Sequence, residues 1–402
     1  MSNALIETIF DRKNRDFNTG SLALCDKDRM ILDVAELSHC VQTSPTNPRN
    51  AKVKKLLDSM GLNDDSSRQF TDKLIGHISN PQFRANQRTR FKFIDLFAGI
   101  GGFRIAMQNL GGRCVFSSEW DVDAQKTYFK NFGEIPFGDI TSPAVKNRIP
   151  KRFEVLCAGF PCQAFSIAGY RRGFSDTRGT LFFDVATILR DHRPKAFFLE
   201  NVKNLKSHDG GRTYEVIEST LKELGYVVHS QVLNSMTHAN IPQNRERIFI
   251  VGFDPEQVAR HEEFRFPDKM ELTRTIHDCI DYNVDDETLF YREGHRYYPF
   301  LNEAMTNPDT VYQWRRQYVR ENQSNVCPTL TANMGMGGHN VPLIITDRGF
   351  RKLTPKECLN FQGYPEEYIF PNIASSKCYK QAGNSVTVPL IQRVAEQIIN
   401  LL

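Results

Sequence analysis

The chain has 402 residues and carries 51 Lys and Arg against 47 Asp and Glu, a net charge of +4. That length can bury a large core and suits two or three domains, while a charge so near neutrality excludes a global cationic field, so any nucleic-acid surface must be a local patch. Nine cysteines without a CxxC pair argue against zinc and a disulfide framework and for a reducing cytoplasm; no apolar run reaches the ~18 residues of a membrane span, and no signal-peptide core opens the chain.

Residues 1–90 carry a polar stretch over 43–50 and helical signals over 53–61 and 67–78. A small helical extension is expected, one that docks on or stabilises the neighbouring domain in preference to binding DNA itself.

From 91 to 253 apolar runs alternate with helical patterns, which predicts an α/β domain with a doubly wound, mostly parallel sheet. Phe93-Ile94-Asp95-Leu96-Phe97 reads as its first strand, and Ala98-Gly99-Ile100-Gly101-Gly102-Phe103 turns from it into a helix. Glycines at such a turn let backbone amides approach a ligand and present a helix N-terminus to it. A second apolar stretch ends at Glu119, twenty positions after Gly99, the offset at which a carboxylate takes ribose hydroxyls. A third element ends at Asp139-Ile140, where another carboxylate could receive an adenine amino group. Glu119 and Asp139 read equally well as helix caps or solvated loop carboxylates, and spacing does not separate a nicotinamide dinucleotide from another adenosine cofactor.

Two further strands, Val155-Leu156-Cys157-Ala158 and Ala196-Phe197-Phe198-Leu199, lead into Gly159-Phe160-Pro161-Cys162-Gln163 and Glu200-Asn201-Val202. Ligands in open parallel sheets bind just beyond the carboxyl ends of strands, so Cys162 and Glu200 are expected at one site. A thiolate that adds to an electron-poor ring and a carboxyl that protonates the ring are chemistry this pair suits. Taken alone, Cys162 reads as an inert buried thiol, and Cys157 belongs to the strand core. The stretch 163–180, punctuated by Gly169, Gly173 and Gly179 and carrying Arg171, Arg172 and Arg178, reads as a loop that closes over a ligand.

The alternation stops between 254 and 345. Phe290, Tyr291, Arg292, Arg296, Tyr297, Tyr298, Tyr312, Trp314, Arg315, Arg316, Tyr318 and Arg320 suit phosphate contact and base-edge readout, or equally a small core with an arginine rim. The last segment, 346–402, returns to the first domain through a helix whose apolar face is Val388, Ile391, Val394, Ala395, Ile398 and Leu402.

The ordered motifs at 93–103, 159–166, 200–202, Gln243-Asn244-Arg245-Glu246-Arg247, 351–365 and Gln381-Ala382-Gly383-Asn384-Ser385-Val386 resemble those of the cytosine-5 DNA methyltransferases of prokaryotic restriction-modification systems. The resemblance covers roughly residues 91–253 and 350–402. It implies the methyltransferase form of the doubly wound fold and S-adenosylmethionine as cofactor, held by Phe97, Gly99, Gly101, Gly102, Glu119, Trp120, Asp139, Ile140, Pro161, Asn384 and Val386. It implies that Cys162 attacks C6 of a cytosine flipped from duplex DNA, that Glu200 protonates N3, and that Arg247, and more loosely Arg245, contact the cytosine O2 and a neighbouring phosphate. It makes 254–345 a target-recognition domain, on its position and on Thr329-Leu330-Thr331-Ala332 with Gly335-Met336-Gly337-Gly338. Expected DNA contacts are Gln163, Ser166, Arg171, Arg172, Arg178, Arg315, Arg316, Thr329, Leu330 and Asn333, with no metal. A monomer is expected, in a bacterial cytoplasm, with a cognate restriction endonuclease as a possible companion at the same DNA site. A transfer-RNA enzyme on the same scaffold and a catalytically idle DNA-binding regulator are the alternatives. Gly159-Phe160 before Pro161, and Pro328 after Cys327 where that subfamily has Cys-Phe-Thr, stand against the first; an intact Cys162, Glu200 and glycine turn stand against the second. The target sequence is not legible.

Overall fold

The computed structural model describes residues 10, 27–43, 50–62, 68–84, 88–161, 181–315, 317–336 and 340–402. They group into two compact units, the first of 1–197 with 367–372, the second of 198–366 with 373–402. No described helix is long and apolar enough to cross a membrane.

In the first unit β1 (Phe91–Leu96) lies between β2 (Gly112–Ser118) and β3 (Val155–Ala158), parallel to both, and the start of β4 (Ala196–Val202) follows β3. Phe93 is level with Cys114 and Val155, Leu96 with Ser118 and Ala158. Every residue of β1 but Lys92 is buried, and so is all of β3, as expected of a parallel sheet covered on both faces. Helix α4 (Gly102–Asn109) starts behind Gly101, whose φ of +83° favours glycine and whose Cβ would overlap the Phe132 ring. Helix α5 (Val122–Phe132) is capped at its start by Asp121, whose carboxylate accepts from the amides of Asp123 and Ala124, and ended by Gly133 at φ +62°.

The N-terminal helices α1 (Lys27–Thr43), α2 (Ala51–Ser59) and α3 (Arg68–Ser79) belong to this unit. Their most informative contact is Gln42. Its Nε2 donates to the Phe132 carbonyl (2.6 Å), its Oε1 accepts from Arg104 (3.4 Å), and its own carbonyl accepts from Arg113 (2.9 Å). Arg104 is fully buried on α4, where it pairs with Glu134 (3.0 Å), donates to Gln108 and Tyr128, and lies over the rings of Tyr128 and Phe132. A buried arginine needs its charge matched and its five donors used, and α1 supplies one of the acceptors.

In the second unit the rest of β4 (Ala196–Val202) is followed by β7 (Glu246–Phe253) and then β5 (Val227–Asn234). β7 runs antiparallel to β5, Arg247 opposite Leu233 and Phe253 opposite Val227. A short parallel pair joins β6 (Gln243–Asn244) to β10 (Cys327–Pro328). The 254–345 segment is built of single turns and a helix α8 (Tyr298–Ala304). The sheet it builds takes its edge strand from beyond residue 345 and runs in the order β12 (Gly349–Lys352), β11 (Leu343–Thr346), β8 (Tyr312–Arg315), β9 (Tyr318–Glu321). Tyr312 and Trp314 are core residues here, packed with Leu301, Met305 and Leu343, and Arg292 is paired with Glu287 at 2.8 Å. Much of the aromatic and basic composition of this segment is therefore core and rim.

The unit closes with α9 (Pro355–Asn360), α10 (Ser375–Asn384) and α11 (Val388–Ile399). Glu357 caps α9 in a reciprocal box with Thr354 and forms a buried two-pronged pair with Arg351 at 2.7 and 2.8 Å. The buried face of α11 is Val388, Leu390, Ile391, Val394, Ala395, Ile398 and Ile399; Leu402 lies beyond the helix and is only partly covered.

Candidate active site

In the first unit the turn after β1 is pinned from three directions. The Gly99 amide donates to Glu119 Oε2 (2.8 Å), the Ala98 amide to the Ser118 carbonyl (2.8 Å), and the Tyr368 hydroxyl to the Ile100 carbonyl (2.5 Å). Phe97 and Gly99 both hold left-handed φ, +55° and +54°, and a phenylalanine held there signals a backbone fixed by its surroundings. Glu119 is buried at the end of β2, with Oε1 accepting from the Asp121 amide (2.8 Å); burial pushes its carboxyl up against those backbone hydrogen bonds. Trp120 beside it is 74% exposed, a flat apolar surface open to a ring. Asp139 is exposed and caps the Thr141 amide (2.9 Å), and Ile140 is buried.

Asp95, two residues before Phe97, carries no signal in the sequence beyond its place in a strand. It is fully buried, and neither carboxyl oxygen has a hydrogen-bond partner among the described residues. Burial pushes it up to about 8, with Arg104 opposing and Glu119 and Glu134 reinforcing. A buried acid with no partner is neutral at neutral pH.

In the second unit Glu200 lies late in β4 and is 8% exposed. Arg247, second residue of β7, brings Nε to 3.0 Å from Glu200 Oε1. A residue late in β4 thus meets a residue early in β7, its neighbour in the sheet. Burial raises the Glu200 carboxyl above its ordinary value, and the charges of Arg247 and Arg245 pull it part of the way back. A raised carboxyl holds its proton to higher pH than a solvated glutamate does, the direction that suits a proton donor.

Arg245 departs from the expected base or phosphate contact. It is 1% exposed, and its Nη groups donate to the carbonyls of Leu330 (2.8 Å), Gly383 (3.2 Å) and Ser385 (2.5 Å). Its partner motif is held the same way: Gln243 donates to the Phe361 carbonyl (2.6 Å) and accepts from the Leu330 amide (3.2 Å), and Thr329 donates to the Asn244 carbonyl (2.6 Å). Arg315, Asn333, Thr331 and Asn384 are exposed, Thr329 is half-buried, and Leu330 and Val386 are buried. Pro161 is the last described residue of its loop and is exposed. Cys162, Gln163, Ser166, Arg171, Arg172, Arg178 and Arg316 lie outside the described residues, as do Gly337 and Gly338. Cys157 is fully buried in β3, its thiol pushed well above the usual range by that burial, so it is no nucleophile.

The model of one protein family, the C-5 cytosine-specific DNA methylases, matches residues 91–400. Type II methyltransferase M.Bsp6I of Bacillus sp. (strain RFL6) is 50% identical over 308 residues, 75% of this chain and 96% of that one. Type II methyltransferase M.HpaII of Haemophilus parainfluenzae is 44% identical over 372 residues, 87% of this chain and 99% of that one. Among solved structures, S. pombe Dnmt2 methyltransferase superposes with a TM-score of 0.58 at 19% identity, covering 77% of this chain and 98% of the other; that likeness shows the shared α/β fold. With the family model spanning most of the chain and relatives this similar along nearly their whole length, the protein belongs to the C-5 cytosine-specific DNA methylases.

Proposed function

We propose that Cys162 is the nucleophile and Glu200 the acid with which this DNA cytosine-5 methyltransferase activates its base. The observation that carries the reading is the buried Glu200, held 3.0 Å from Arg247 at the end of β4. C5 of cytosine is a poor nucleophile. Bonding of the Cys162 thiolate to C6 pushes electrons into the ring while Glu200 gives a proton to N3, and C5 then carries the density needed to take an electrophile. Arg247, its guanidinium already oriented, offers a donor for the cytosine O2. A base such as water then takes the C5 proton, the C–H electron pair re-forms the C5–C6 double bond as the C6–S bond breaks, the Cys162 thiolate leaves, and the N3 proton returns to Glu200, giving the methylated base.

S-adenosylmethionine is the methyl donor and supplies an electrophilic methyl group. The first unit fits it on observations of its own: an exposed Trp120 next to a buried Glu119 suits an adenosine, and the unpartnered Asp95 sits under the turn that would receive a cationic amino acid moiety. Phe97, Gly99, Gly101, Gly102, Glu119, Trp120, Asp139, Ile140, Pro161, Asn384 and Val386 are the residues we assign to it.

We assign 254–345 to target recognition, 91–253 with 346–402 to catalysis, and 1–90 to support. Thr329, Leu330, Asn333, Arg315 and Arg316 with the basic 163–180 loop are proposed to hold DNA, and Arg245 to position its neighbours. The similarity to type II methyltransferases supports a place in a restriction-modification system; with it we propose a companion endonuclease acting on the same site, a monomeric state and a bacterial cytoplasm. The test is trapping: a duplex bearing 5-fluorocytosine at the methylated position should give a denaturation-resistant adduct at Cys162 in the presence of S-adenosylmethionine, since fluorine at C5 cannot leave as a proton does. Cys162→Ala should give none. An adduct at another cysteine, or on RNA only, would overturn the assignment.

A further inference from the structure

Two stretches assigned to different ligands are packed backbone against backbone in the second unit. Leu330 and Thr331 belong to the segment proposed to hold DNA; Gly383 and Ser385 flank Asn384, proposed to hold S-adenosylmethionine. A Cβ on Gly383 would overlap the Thr331 carbonyl group and stand 2.8 Å from the Ala332 amide nitrogen, so no side chain separates the two. One guanidinium spans the seam. Arg245 gives Nη1 to the Leu330 carbonyl on one side and Nη2 to the Gly383 and Ser385 carbonyls on the other, while its Nε finds no partner among the described residues.

The choice of residue matters. Arginine's planar fork carries donors in fixed divergent directions, whereas lysine has a single nitrogen on a flexible stem. A fully buried cation is costly unless its donors are used, and here they are used on main-chain carbonyls, which fix segments and not side chains. Arg247, two residues on, faces Glu200, so the seam continues directly into the proposed acid.

We propose that Arg245 is a positioning residue that couples the two segments, so that DNA held by 329–333 and cofactor held by 384–386 each favour the binding of the other. The physical basis is shared ordering. A ligand that fixes one side of the clamp fixes the carbonyls on the other, and the second ligand meets a segment already in place. Such coupling is reciprocal: the factor by which cofactor strengthens DNA binding equals the factor by which DNA strengthens cofactor binding. The proposal rests on the functional reading above.

The test uses the full chain, S-adenosylhomocysteine, and a duplex carrying the site identified by single-base sequencing of methylated plasmid. DNA affinity is measured with and without S-adenosylhomocysteine, and S-adenosylhomocysteine affinity by calorimetry with and without duplex. For the wild type we expect both ratios to agree at about ten-fold or more. In Arg245→Lys and, separately, Gly383→Ala, they should fall to about two-fold or less. General loosening that weakens both ligands equally cancels in these ratios, so they report the seam and not the fold. A wild-type ratio near one, or a ratio unchanged in both variants, overturns the coupling while leaving the methylase reading intact. A wild type that binds neither probe overturns both.

Discussion

Arg247 Nε stands 3.0 Å from Glu200 Oε1, with both side chains largely withdrawn from water. Burial, which raises the carboxyl, outweighs the arginine charges that lower it. The net direction is upward, so Glu200 keeps its proton to higher pH than a glutamate in water while one of its oxygens stays fixed against Arg247.

Replacing Glu200 with Gln keeps the shape and a hydrogen-bond donor but removes the transferable proton. Methyl transfer should slow by about 10²–10⁴-fold, the range ascribed to general acid–base catalysis, with DNA affinity changed only a few-fold. Tritium transfer from labelled S-adenosylmethionine in single turnovers measures the first, and equilibrium titration the second. Wild-type turnover would remove Glu200 from the acid role.

Arg247→Ala should shift a pH profile in a stated direction. Arg247 lowers the Glu200 carboxyl, so its loss raises that carboxyl further. Activity needs the protonated acid, and therefore the alkaline limb of kcat/KM should move to higher pH while the plateau drops. A limb that stays in place or moves down would show that Glu200 does not set it.

Asp95 provides a stability test. Its carboxyl is raised from 3.8 to about 8 in the fold, so the folded state binds a proton that the unfolded state gives up. Stability from this group is fully present below about pH 4, declines as pH rises toward 8, and is then constant. Asp95→Asn stays neutral throughout. Its stability relative to wild type should rise across that window, by an amount on the order of a few kcal/mol, measured by urea unfolding without cofactor at several pH values. A difference independent of pH would show that Asp95 finds a partner in solution.

Gln42→Ala would take an acceptor from buried Arg104 and a donor from the Phe132 carbonyl. Buried groups left unsatisfied cost about 1–3 kcal/mol, so the melting temperature should drop by several degrees. An unchanged melting temperature would show that α1 does not support the first unit.

Legible in the sequence is whatever repeats locally or falls at fixed offsets. The strands over 91–253, the glycine turn, the offset to Glu119 and the placement of Glu200 at a strand end all follow from short periods and motif spacing. Gln42 and Tyr368 are not legible, because a hydrogen bond across 62 or 268 residues leaves no local pattern. Asp95 hides inside an apolar run. Spacing groups Arg245 with Arg247, because two residues in a strand share a face, but β7 begins at Glu246. Arg245 thus precedes the strand and turns elsewhere. Between 290 and 320 composition does not tell core aromatics from exposed ones, since both readings need the same residues; only packing assigns Trp314 to a core while Tyr318 remains exposed.

The reversal of β7 also sets where the chain can change length. Its register against β5 is fixed residue by residue, Glu246 to Asn234 and Arg247 to Leu233, and β6 just before it is tied to β10. Side chains alternate along a strand, so one residue inserted between Asn244 and Arg247 must either bulge out of the short junction held by β6 and β7 or slip β7 by one residue, which would turn Arg247 to the opposite face. Beyond Phe253 the chain enters turns with no ladder to hold register. Insertions and deletions should accumulate there freely, making the far end of β7 the editable border of the fold and its first residues the least editable stretch.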